Sequence, residues 1–100
     1  MFESKFKSEA VDELFNAILL LNTKEDCYRF FEDLTTVPEI KSLAQRLQVA
    51  IMLSDKETYT TISDNTGAST ATISRVKSSL LYGADGYKLI LQKLAKNASA

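Results

Sequence analysis

The chain has no histidine and one cysteine, Cys27, among its 100 residues. Without a second thiol there is no disulfide framework, and without histidine there is no Cys/His zinc site. The same absence leaves Cys27 with no imidazole to activate it, so it reads as a small core residue and not a nucleophile. One proline, Pro38, and three glycines leave no flexible linker. No stretch sustains the period-two alternation of a strand. No apolar run reaches the ~20 residues of a membrane span. A Gly-rich phosphate loop and paired carboxylates are missing too, so neither an enzyme nor a bound metal or cofactor is expected. Residues 1–14 mix both charge signs and lack a secretory core. Together with the lone thiol, that suits a reducing cytoplasm.

What remains is helical. Apolar residues make up 45% of the chain, enough for one globular, all-α domain spanning 1–100. A core of this size is often marginal, so association with a second copy would help. Periodicity predicts six helices, over 8–21, 24–34, 37–53, 59–65, 70–82 and 87–96. Val11, Leu14, Phe15, Ile18 and Leu21 form the stripe of the first, and Ala17, Leu19 and Leu20 widen it almost all the way round. A helix like that is covered on several sides, and a second subunit is the expected cover. Thr23 caps the second helix, with Cys27, Phe30, Phe31 and Leu34 facing inward. Thr36 caps the third, Pro38 sits in its first turn, and Ile40, Leu43, Leu47, Ala50 and Ile51 make its stripe. The last helix packs Tyr87, Ile90, Leu91 and Leu94, and residues 95–100 are expected to fray.

Residues 58–82 carry the chemistry. Two short amphipathic segments flank Gly67-Ala68-Ser69. Gly67 can take the positive φ that ends the first segment. Ser69 can cap the second. Ile62, Ala68, Ile73 and Val76 are apolar where two crossed helices must touch. This is the pattern of a helix-turn-helix, whose second helix enters the major groove of DNA. The face opposite Ile73, Val76 and Leu80 presents hydroxyls, small residues and cations that suit base edges and phosphates. Thr70, Ala71 and Ser74 are expected near base edges, and Thr60, Ser69, Lys77 and Ser78 near the backbone. The plain alternative is a surface helix with a Ser/Thr-rich face. Two positions depart from the motif: Thr66, before the turn glycine, would be apolar, and Ser63 stands where alanine is usual.

Net charge is −1, but it is unevenly spread. Residues 1–57 hold seven Lys/Arg against eleven Asp/Glu, and residues 58–100 hold five against two. The motif half is therefore basic, though only modestly, and phosphate affinity would need two copies.

Ala71-Thr72-Ile73-Ser74-Arg75, Ser78-Ser79-Leu80, Leu43-Ala44-Gln45-Arg46-Leu47 and Leu34-Thr35 resemble the Trp repressor superfamily, over roughly residues 34–94. Within it the chain is most similar to the YerC/YecD-type branch. The resemblance implies a six-helix intertwined homodimer and a regulator of transcription that binds double-stranded DNA. It also implies a place for a corepressor tryptophan. Arg75 would hold the carboxylate, Arg46 and Arg75 would flank the indole, and Ser79 with Thr35 or Thr36 would meet the polar groups. Where the family has glycine this chain has Val76, whose side chain would project into the indole slot. The expectation is a filled pocket and no response to tryptophan. Arg75 would then face a phosphate or carboxylate, and Arg46 a surface acid. The competing reading is a helical interaction module that keeps the fold without specific DNA binding.

Overall fold

Hydroxyl side chains open five of the six helices in the computed structural model, which describes residues 2–99. The helices are α1 (Glu9–Ile18), α2 (Lys24–Leu34), α3 (Val37–Ser54), α4 (Tyr59–Thr66), α5 (Thr70–Tyr82) and α6 (Gly86–Ser99). Ser8 accepts from the Val11 N–H at 3.1 Å, Thr23 from Asp26 at 3.0 Å, Thr58 from Thr61 at 3.2 Å and Ser69 from Thr72 at 3.1 Å. Each satisfies a donor that a helix start leaves free. At α3 the cap is reciprocal: Thr36 Oγ1 accepts from the Glu39 N–H at 3.3 Å, and Glu39 Oε1 accepts from the Thr36 N–H at 2.8 Å. The Thr36 backbone N–H, and after it the Thr36 hydroxyl, hold the Glu39 carboxyl below its ordinary pKa.

The architecture is all-α with six helices, and four of the predicted spans need adjusting, that of α3 only by the addition of Ser54. α1 stops at Ile18, three residues short of its predicted end. Leu19 closes it through its N–H to Phe15 O, and the Leu20 and Leu21 N–H groups reach back only three residues. The apolar run thus outlasts the helix. α6 continues to Ser99, so its last turns are helical where fraying was expected. Ala95 and Lys96 are good helix formers, and Lys96 suits the negative end of the dipole. α4 gains Thr66 as its last residue.

Two compact units divide the chain, residues 1–40 and 41–100. In the first, neither α1 nor α2 has a buried residue. Phe30 and Phe31 meet edge to face at 5.6 Å between ring centres. Cys27 is exposed, contrary to the core position expected for it, and Leu34 is half exposed. The reason is that this unit closes no core of its own. Cys27 lines an open apolar cavity of about 720 Å³ with Phe31, Val37 and Ile40.

In the second unit, Val49, Ala50, Ile62, Ala68, Ile73 and Val76 form a buried cluster. Met52, Leu53, Tyr59, Leu80 and Tyr87 pack around it. α3 therefore meets α4 and α5 along its Val49 edge. The expected stripe through Ile40 and Leu43 lies off that contact, and both are exposed. Likewise Tyr87 and Leu91 of α6 are half buried, while Ile90 and Leu94 are exposed. Among the described residues, no helix is long and apolar enough to cross a membrane.

Candidate functional site

Gly67 is the pivot between α4 and α5. Its φ of 73° is the left-handed conformation that side chains disfavour, and its N–H returns to Ser63 O at 2.8 Å. Thr66, where an apolar residue was expected, closes the turn with its hydroxyl instead. Its Oγ1 donates to Ile62 O at 2.7 Å and accepts from the Ala68 N–H at 3.1 Å. Ser63, the other departure, is half buried and supplies the carbonyl that the Gly67 N–H needs.

Below the turn, the four expected packing residues are all buried: Ile62 and Ile73 fully, Ala68 and Val76 at 2% exposure. This fixes which way α5 faces. Thr70, Ala71, Ser74, Lys77 and Ser78 are exposed along it, with Ser69 at its cap and Thr60 on α4 exposed as well. The face is small and hydroxylated. Residues 58–82 contain one acidic side chain, Asp64, and two cations, Arg75 and Lys77. The Lys77 ammonium lies 5.8 Å from the centre of the Tyr59 ring, a cation–π contact between α4 and α5.

The residues matched to a tryptophan pocket are engaged elsewhere or free. Arg46 does not meet a surface acid. Its Nε and Nη2 turn back to Ser42 O at 3.5 Å and Ser42 Oγ at 3.4 Å. Those partners lie one helical turn away, closer at hand than any carboxylate. Arg75 is exposed and makes no hydrogen bond or ion pair among the described residues. Ser79 is exposed, and its carbonyl accepts from the Gly83 N–H at 2.9 Å. A Cβ at Gly83 would stand 2.4 Å from that oxygen, so glycine is required where α5 ends. In the other unit, Thr35 donates to Phe31 O at 2.7 Å and Thr36 serves the cap of α3. Val76 belongs to the buried cluster.

Two residues were missed by sequence reasoning. Tyr59 looked like an ordinary helix start. Gln45 was noted only as part of a similar segment. Its Nε2 donates to Thr66 O at 3.0 Å, across 21 residues of chain. No sequence signal marked it, since Lys41, Ser42 and Gln48, neighbours one turn away on α3, are polar as well. Among the described residues, no group of His, Cys, Asp and Glu is arranged to hold a metal ion.

The model of the Trp repressor protein family matches residues 9–95. The chain is 56% identical over 90 residues to the uncharacterized protein YerC of Bacillus subtilis, covering 90% of this chain and 86% of that one. A crystal structure from Staphylococcus aureus, provisionally described as a Trp repressor, superposes with a TM-score of 0.87 at 57% identity, covering 91% of each chain. A TrpR-like protein of Eubacterium eligens gives 0.88 at 53% identity, covering 91% of this chain and 94% of that one.

Proposed function

We propose that this chain, which belongs to the Trp repressor protein family, is a cytoplasmic, sequence-specific DNA-binding regulator that acts as a homodimer of single-domain chains. The observation that carries the reading is the Gly67 turn over the buried Ile62, Ala68, Ile73 and Val76, which turns a hydroxyl-rich face of α5 outward. Two such helices related by a two-fold axis would enter successive major grooves ~34 Å apart. Thr70, Ala71 and Ser74 would approach base edges, where methyl and hydroxyl groups suit thymine and neutral hydrogen bonding. Thr60, Ser69, Lys77 and Ser78 would meet the phosphate backbone, and the unpaired Arg75 guanidinium would add a phosphate contact. Selection from random duplexes should return an inverted repeat. Binding that is salt-sensitive and blind to sequence would refute the proposal.

The regulator needs no tryptophan in this reading. Val76 lies in the core that joins α4 to α5, and the resemblance matches it to the glycine that leaves room for the indole. One observation favours the alternative of an interaction module: Asp64 is exposed on α4 and the motif carries only two cations. Retention on heparin or bulk DNA at low salt separates the two. A well-folded dimer that is not retained would be the module.

A further inference from the structure

Apolar packing selects a crossing angle between two helices but leaves it a scatter of about 15–20°, because hydrophobic contact itself has no direction. A hydrogen bond does have direction. Among the described residues, one such bond reaches the end of α4 from α3. Gln45 Nε2 donates to Thr66 O at 3.0 Å, and the bond is partly buried. Thr66 is the last residue of α4, and its carbonyl is one of those a helix end leaves without an internal partner. The same residue's hydroxyl ties Ile62 O to the Ala68 N–H. A Cβ at Gly67 would lie 3.9 Å from Gln45 Nε2, so the turn backbone runs alongside the amide. One turn along α3, Val49 enters the cluster fully buried. Gln45 and Val49 thus form a polar and an apolar foot of one contact. The polar foot lands on the residue just before the turn, three residues ahead of the α5 cap at Ser69.

We propose that Gln45 is a positioning residue: through Thr66 it sets the angle at which α5 leaves the turn, and it does so with no small molecule bound. This rests on the DNA-binding reading and deepens it. A site that reads base edges must be held within a fraction of an ångström, and its supporting shell supplies that hold. In this chain the hold comes from α3 itself. Gln45 touches no DNA in this arrangement. Its effect passes through the turn to Thr70 and Ala71.

The test is Gln45→Met, nearly isosteric, uncharged and without an N–H donor. Full-length protein is titrated with a duplex recovered by selection and with a random duplex, and amide exchange is followed at Gly67 and Ala68. The expected result is about a tenfold loss of affinity for the selected duplex, the size of one unmet carbonyl. Affinity for the random duplex should be unchanged, and exchange at Gly67 and Ala68 should quicken. Equal loss on both duplexes, or unchanged selectivity, overturns the positioning role. If the unmutated protein itself shows no selectivity, the DNA reading fails and the proposal with it. Exchange at Gly67 and Ala68 then shows separately whether Gln45 holds the turn.

Discussion

Residues 1–40 and residues 41–100 are both built of helices and differ in what they can bury. The second unit closes a six-residue apolar cluster from α3, α4, α5 and the turn at Ala68. The first offers large apolar side chains with nothing of its own to set them against: Phe15 is 51% exposed, Leu20 77% and Leu19 80%. Exposed apolar patches of that kind are what association surfaces are made of. The difference teaches where each kind of specificity resides. The turn and its outward face are fixed within one chain by local contacts. The first unit has the composition of a core and buries no residue of α1 or α2.

The largest expected effect comes from charging that surface. As free surface positions, Leu19→Asp and Leu20→Asp would change stability by no more than about 0.5 kcal/mol each. If a second copy covers them, each buried leucine is worth about 1.5–3 kcal/mol and each is present twice. The double variant should then lose its folded dimer altogether. Sedimentation of the variant and the concentration dependence of melting in the parent protein check this. A double variant that melts like the parent, at the mass of one chain, would remove the contrast between the units.

Within the second unit, Ile73→Ala should cost about 2–5 kcal/mol by opening a cavity under the turn. Urea unfolding measures it. A loss below about 1 kcal/mol would mean that the cluster tolerates collapse and that α5 is held chiefly by its hydrogen bonds.

Local signals made the second unit legible in the sequence. Gly67, Ser69, Ile62, Ala68, Ile73 and Val76 each have a reason that lies within a dozen residues, and the range of α5 matches its prediction. Gln45 was not legible because its partner is 21 residues away and is a backbone carbonyl, to which sequence gives no clue. Arg46 was assigned an acid because charge invites one, yet Ser42 is a turn away on its own helix. Cys27 and Leu34 were placed inward because periodicity identifies an apolar face. It cannot say whether the cover for that face comes from the same chain.

The contrast can also be sharpened at Val76. Forcing bulk into a packed site costs about 1–3 kcal/mol, or roughly ten- to a hundredfold in affinity. Calorimetry with L-tryptophan should therefore show no useful binding. Val76→Gly should lose about 2–3 kcal/mol of stability, from the cavity and from glycine inside a helix. It should also gain weak indole affinity. Micromolar tryptophan binding by the unmodified protein would show that the slot is open.

The smallest effect concerns the cap where α3 begins, in the first unit, before the helix passes into the second. Thr36 holds the Glu39 carboxyl below its unfolded pKa of 4.5, chiefly through its backbone N–H and then through its hydroxyl. A carboxyl whose folded pKa is depressed stabilises the fold in full above its unfolded value. That contribution fades as pH falls through the folded value. Glu39→Gln keeps an oxygen for the cap but has no charge to titrate. Melting of the two proteins should differ slightly at pH 7, where the carboxylate also favours the positive end of the helix. The difference should vanish once Glu39 is protonated well below 4.5. A gap that stays constant from neutral to acid pH would mean that the charge contributes nothing. The start of α3 would then be held by neutral hydrogen bonds alone.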